Sequence, residues 1–258
     1  MRTTLAADAL QDKVALIFGA SRGIGAATAA AMVAAGARVV LASRDVQALE
    51  RLAGELRVRS GDARVRAADM TRPQDVAAAV QYTVDTFGTL DIAVNNAGVS
   101  AKTTPLADIE DDDFDRILEI NLRGVFLALK YEIKAMLAHG GGSIVNTASI
   151  GGLVALPRMA AYTASKHGLV GLTKVAAVDY AKDGIRVNAV APGTVMTQML
   201  RSGIAATPEG EARLKSAVPM GRIARAGEIG GTIAWLCSDD ASYVTGTILS
   251  VDGGYTVP

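Results

Sequence analysis

Short apolar runs alternate with longer stretches of helical spacing along the whole chain. The runs VALIFG (14–19), RVVLAS (38–43), RVRAAD (64–69), DIAVNN (91–96), SIVNTA (143–148), IRVNAV (185–190) and TILSVD (247–252) predict seven strands. Helical patterns fill about 24–35, 45–57, 73–87, 112–138, 160–182 and 226–237. Strands separated in this way by helices build a parallel sheet covered on both faces. The expected class is α/β, a doubly wound sheet of seven parallel strands. No linker or repeat divides the chain, so residues 1–258 are expected to form a single domain. Two stretches resist the alternation, 99–110 after the fourth strand and 192–228 after the sixth. Both leave the carboxyl ends of strands, where open α/β sheets bind ligands. They read either as substrate walls, with a lid at about 194–225, or as surface decoration.

Composition narrows the function classes. Half of the residues are apolar but only 4% are aromatic, so Ala, Val, Leu and Ile must build the core. The formal net charge is zero with both signs mixed along the chain, which points to neither a nucleic-acid nor a membrane surface. The acidic run Glu110–Asp113 reads as the solvated start of a helix. A single cysteine, Cys237, excludes an internal disulfide and fits a reducing compartment; within IAWLCS it reads as a buried structural thiol. The N-terminus lacks signal-peptide character, and no apolar run approaches the roughly 20 residues of a membrane span. A cytoplasmic protein is expected.

The candidate chemistry centres on Tyr162 and Lys166. On a helix, positions i and i+4 share a face, so the ammonium can lie beneath the phenol. A fixed cation favours the phenolate and draws a tyrosine from its ordinary pKa of about 10 toward a working value. Such a group takes a proton from an alcohol or gives one to a ketone. Ser149 lies thirteen residues earlier.

The first strand runs into Gly19-Ala20-Ser21-Arg22-Gly23-Ile24-Gly25 and then an Ala-rich helix. Glycines permit a tight turn and close approach to a pyrophosphate, and a helix N-terminus offers N–H groups and partial positive charge. The second strand ends Ala42-Ser43-Arg44, with no carboxylate until Asp45, which reads as a helix N-terminal residue. Ser43 and Arg44, with Arg22 nearby, suit a 2′-phosphate; NADP(H) is expected rather than NAD(H), the alternative. Asp69-Met70 ends the third strand, with Asp69 placed either to bind adenine or to cap the next helix. Asn95-Asn96-Ala97-Gly98 follows the fourth, reading as a ribose site or a plain turn.

Taken in order, GASRGIG (19–25), Asp69, NNAG (95–98), Asn121, Ser149, Tyr162-x-x-x-Lys166 and PG-x-x-x-T (192–197) resemble the short-chain dehydrogenase/reductase family, in its compact single-domain branch. The resemblance extends from Lys13 to about Tyr255 and implies a Rossmann-type fold. It also implies that Tyr162 is the general acid/base, that Ser149 polarises the carbonyl, and that Lys166 lowers the phenol's pKa and binds the nicotinamide ribose. Asn121, which alone would read as a helix kink, would hold a relay water. Gly19, Ser21, Arg22 and Ile24 would line the diphosphate and adenosine side, with Gly23 and Gly25 shaping the loop. Asn96, Ala97 and Gly98 would meet the central ribose, and Pro192, Gly193, Val195 and Thr197 the nicotinamide carboxamide.

The expected substrate is a small carbonyl compound or alcohol, in a pocket of Val99, Leu153, Met159, Val195, Met199 and Leu200. The alternatives are a reductase of 3-oxoacyl thioesters on acyl-carrier protein or CoA, and a non-catalytic NADP(H) sensor. Leu127 and Val178 stand where carrier-protein reductases of the family tend to have arginines, and Phe18 where a threonine is common. The resemblance further implies a homotetramer built on the helices at 112–138 and 160–182 and on the C-terminal strand region.

Overall fold

The computed structural model describes residues 5–58, 62–201 and 207–257. β1 (Val14–Phe18), β2 (Arg38–Ser43), β3 (Ala63–Ala67), β4 (Ile92–Asn95), β5 (Gly142–Thr147), β6 (Ile185–Pro192) and, last in the chain, β9 (Ile248–Val251) form one parallel sheet in the order β3-β2-β1-β4-β5-β6-β9. This is the doubly wound Rossmann arrangement, folded as one domain. The crossovers are α1 (Gly23–Ala34), α2 (Val46–Val58), α3 (Pro73–Phe87), α4 (Asp111–Leu118) with α5 (Gly124–Ala138), α6 (Ala160–Tyr180) and α9 (Ala226–Cys237).

Side-chain alternation along the central strand explains the layering. Leu16 and Phe18 point to one face and pack with Val76, Val80, Val125 and Ile133; Ala15 and Ile17 point to the other and pack with Met32, Leu49, Ile229 and Ile233. All five residues of β1 are fully buried. Each of its larger side chains contributes about 1.5–3 kcal/mol of hydrophobic stabilisation. Phe18 packs inside. Cys237 is buried, and that burial pushes its thiol up to about 12, well away from reactive thiolate.

Two elements depart from the sequence pattern. The expected helix over 112–138 is split by a wide π-type turn at Glu119–Arg123. The cause is Asn121, whose carboxamide accepts from the Val99 N–H (2.8 Å) and donates to the Val99 carbonyl (2.9 Å), pulling that turn toward the end of β4. The segment after β6 carries short elements among its described residues. It holds β7 (Val195–Met196), α7 (Gln198–Arg201), α8 (Pro208–Ser216) and β8 (Ala224–Arg225). β7 and β8 pair with each other, closing the base of the segment.

A buried polar bar crosses the sheet beneath its carboxyl edge. Asn95 Nδ2 donates to Glu132 Oε2 and to Asn146 Oδ1, and Asn146 Nδ2 donates to Thr173 Oγ1, each at 3.0 Å. Burial pushes the Glu132 carboxyl up to about 8 against the opposing pull of the Asn95 hydrogen bond. The folded chain therefore holds a proton there that the unfolded chain has released above its usual 4.5. Stability from this group is complete below that pH and is lost as pH rises through about 8. The displacement corresponds to at most ~5 kcal/mol. Glu132→Gln is expected to unfold at a progressively higher temperature than the parent as pH rises from 5 to 8. A constant difference across that range would show that the carboxyl does not titrate there.

Candidate active site

The turn from β1 into α1 forms one wall. Gly19 takes φ +72°, and a Cβ there would stand 2.6 Å from the Ala97 nitrogen. A Cβ on Gly25 would meet the Gly19 carbonyl oxygen at 2.2 Å, so this buried glycine shapes the turn from behind and does not face the cleft. Asn96 clasps the same turn, donating from Nδ2 to the Gly19 carbonyl at 3.0 Å. Arg22 precedes α1 without a side-chain cap, and the first turn of the helix has no acidic residue. Those N–H groups suit an anion.

On the adenosine side, Arg44 is 71% exposed and lies 3.8 Å from Asp69. Burial works against the Asp69 charge, but hydrogen bonds from Thr71 and the nearby Arg44 and Arg72 guanidiniums hold its carboxyl below the usual range. Asp69 accepts from the Thr71 N–H and hydroxyl in the turn ahead of α3, whose N-cap, Arg72, makes no side-chain cap, so Asp69 does not cap that helix; it lines the cleft. Asp45 accepts from the Ala48 N–H and is a helix-start residue, as expected. The Ser43 hydroxyl accepts from the Asp45 N–H at 3.2 Å.

At the other end of the cleft stand the proposed reacting groups. β5 ends in Thr147 and delivers Ser149, whose Oγ accepts from the Gly151 N–H at 3.1 Å. α6 brings Tyr162 to the same point, where its phenol faces the Ser149 hydroxyl. Lys166 lies one turn along, its Nζ 5.8 Å from the Tyr162 ring centre and donating to the Thr147 carbonyl at 2.8 Å. Burial lowers Lys166 to about 8. It raises the phenol above its ordinary value, with the Ser149 hydroxyl pulling the other way. This corrects the sequence expectation of a lowered phenol, because here the ammonium serves a backbone carbonyl and burial dominates.

One cleft of about 970 Å³ joins these walls. Gly19, Ser21, Arg22, Gly23 and Ile24 line its phosphate side, with Ser43, Arg44, Asp69 and Met70 beyond them. Asn96, Ala97 and Gly98 line its middle, and Ser149, Tyr162, Lys166, Pro192, Gly193, Val195 and Thr197 its far end. Asn121 stands behind the cleft, fully buried, both ends of its carboxamide engaged by Val99 and its Nδ2 also 3.3 Å from Ser165 Oγ. Val99, Met159 and Leu200 line the apolar mouth as expected. Leu153 does not: the short turn at Ile150–Gly152 carries it aside, and Leu156 takes its place together with Leu214. The side chain of Met199 lies outside the described residues. Leu156 and Leu214 carry no sequence signal that separates them from packing leucines.

A glycine turn, an uncapped helix start and a long cleft ending at a Ser–Tyr pair together fit a dinucleotide. Comparisons with known proteins agree. A family model described as enoyl-(acyl carrier protein) reductase matches residues 19–256. A γ-butyrolactone 1′-reductase of the A-factor type (1S-forming) from Streptomyces virginiae is 49% identical over 96% of this chain and 97% of its own length. The chain belongs to the short-chain dehydrogenase/reductase family. It is an oxidoreductase of that family, whose members use NAD(H) or NADP(H). Cyclohexanol dehydrogenase from Acinetobacter sp. (strain SE19) is 39% identical, covering 95% of both chains. Among solved structures, levodione reductase superposes with a TM-score of 0.91 at 37% identity, covering 95% of this chain and 97% of the other. A 3-ketoacyl-(acyl-carrier-protein) reductase from Brucella melitensis, complexed with NADH, gives 0.89 at 37% identity over 96% and 100%.

Proposed function

We propose that the protein interconverts a ketone and its secondary alcohol with NADP(H), Tyr162 acting as general acid/base. The observation that carries this reading is the Tyr162–Ser149 hydroxyl pair at the end of the dinucleotide-sized cleft, with Lys166 beneath it. The bound nicotinamide supplies or accepts the hydride. The chain's residues do the rest. Ser149 donates to the carbonyl oxygen and orients it. Tyr162 keeps its proton at neutral pH, because burial raises its pKa, and gives that proton to the oxygen as charge develops there. Lys166 stabilises the phenolate that results, and Asn121 fixes the wall behind them. Glycine turn and helix start hold the diphosphate, with Asn96, Ala97 and Gly98 beside the ribose.

Three features support NADP(H). Arg44 and Ser43 end β2 at the cleft, Arg22 lies nearby, and the Asp45 carboxylate is occupied capping α2. The apolar mouth of Val99, Leu156, Met159, Leu200 and Leu214 suits a ring-containing ketone or alcohol, and the γ-butyrolactone and cyclohexanol in the names of two relatives are ring compounds. Among the described residues of the 194–225 stretch, β7 and β8 tie the base and Leu200 and Leu214 reach the cleft, which supports a lid there. Phe126, Val175 and Val178 are exposed on α5 and α6, an apolar face that a homotetramer would cover. One buried thiol fits a cytoplasmic setting.

A second reading, reduction of a 3-oxoacyl thioester, is favoured by the Brucella melitensis structure; the family model's description shares with it the acyl-carrier-protein substrate but names an enoyl reduction. Leu127 bears on it less than the sequence suggested: it is buried in the core, so an arginine there would not reach a carrier protein, and only Val178 is exposed. NADPH oxidation over cyclic ketones, acyclic ketones and 3-oxoacyl-CoA, repeated with NADH, separates the readings. Turnover of cyclic ketones with NADPH preferred is the expected result. Exclusive use of the thioester would overturn the first reading, and cofactor binding without any turnover would point to a sensor.

A further inference from the structure

Among the described residues, Glu132 and Lys166 are the only acidic or basic side chains that are buried. Lys166 belongs to the site above. Glu132 has no part in the proposed chemistry, yet it begins the bar Glu132–Asn95–Asn146–Thr173. The four members come from α5, β4, β5 and α6 in turn. These are the elements that carry the site. β4 leads into Asn96 and Gly98, and β5 supplies the Thr147 carbonyl and then Ser149. α6 carries Tyr162 and Lys166, and α5 continues from the wide turn that holds Asn121.

We infer that Glu132 is a positioning residue: as the hydrogen-bond partner of Asn95, it fixes the carboxyl ends of β4 and β5 and thereby sets Lys166 and Ser149 against Tyr162. This rests on the catalytic reading proposed above. Three observations support it. Asn95 spends both N–H groups as a fork, one toward the helix and one toward the neighbouring strand, where Asn146 is its register partner. Asn146 directly precedes Thr147, whose carbonyl receives the Lys166 ammonium at 2.8 Å. The β4–β5 ladder is complete without these side chains, and a buried polar cluster is no more stabilising than an apolar one of equal size, so a bar here has positional value. Among the described residues, Glu132 Oε1 and Asn95 Oδ1 have no hydrogen-bond partner, so the bar holds by single links and any break in it is transmitted. Burial also keeps the carboxyl neutral at pH 7, consistent with its single hydrogen bond.

The test compares Glu132→Gln, Glu132→Met and Tyr162→Phe in the full chain, measuring kcat and KM per folded molecule, NADPH dissociation and thermal unfolding. A small displacement of reacting groups has large kinetic effects, so Glu132→Met is expected to lose kcat by about tenfold or more below its unfolding temperature, with NADPH affinity within about threefold. Glu132→Gln, which keeps a neutral hydrogen-bonding end of the same length, is expected to restore kcat to within about twofold of the parent. Thr173→Val breaks the far end of the bar and is expected to lower kcat in the same direction; it serves if the methionine variant does not fold. Unchanged kcat in Glu132→Met or Thr173→Val, with only the unfolding temperature lowered, overturns the inference. So does a Glu132→Gln variant as slow as the methionine one, since that would demand an ionisable group. Turnover retained by Tyr162→Phe would instead sink the catalytic reading itself.

Discussion

Tyr162→Phe is expected to lower kcat by roughly 10²–10⁴-fold, the contribution of a positioned general acid, while NADPH binds nearly as before. The substitution removes one oxygen. The ring keeps its place above Lys166, whose Nζ stands 5.8 Å from its centre, and Lys166 keeps its bond to the Thr147 carbonyl. Ser149 retains the Gly151 N–H as a donor, so the local turn survives. What disappears is the proton donor beside the carbonyl oxygen, and Ser149 alone cannot replace it because its hydroxyl must give that proton up without a cation beneath it. Steady-state kinetics and a fluorescence titration with NADPH measure the two effects separately. Wild-type turnover in the variant would refute the assigned role; equal losses in binding and turnover would show that the tyrosine acts by shaping the cleft.

Arg44→Asp is expected to move the preference from NADPH toward NADH by roughly 10²-fold, about 2.7 kcal/mol. Arg44 is exposed, so its pairing with a 2′-phosphate is discounted by solvent. The larger part of the shift comes from placing a carboxylate where that phosphate must sit, and from giving the ribose hydroxyls of NADH an acceptor. The kcat/KM values for both cofactors with one substrate give the ratio. A ratio that does not move means the 2′ position is read elsewhere, with Arg22 the next residue to change.

Much of this was readable from local chemistry. α3 fell where expected because Pro73 opens it and Gly88, at φ +84°, closes it. The glycine turn was readable because its pattern lies within seven residues, although the backbone that presses on Gly19 is that of Ala97, far along the chain. Features set over long distances were not. The break at 119–123 was legible as a helix kink at Asn121, but its cause was not, since Asn121 meets Val99, 22 residues away in the chain. Glu132, in the run YEIKAML, looks like an ordinary exposed helix charge; its burial is decided by Asn95, 37 residues away. Leu127 shows the same difficulty, since the rotation of α5 against the sheet decides whether it faces solvent or core. The segment after β6 has no periodicity for a reader to follow, and the strand pair among its described residues joins positions nearly thirty apart.

The most direct measurement follows a deuterium atom. NADPH deuterated at the transferable C4 position of the nicotinamide is incubated with cyclic ketones and the enzyme, and the products are analysed by mass spectrometry. The account predicts a secondary alcohol labelled at its carbinol carbon, formed by the wild type and absent with Tyr162→Phe. A label that appears on a carbon–carbon double bond instead, or an alcohol formed equally well by both proteins, would contradict it.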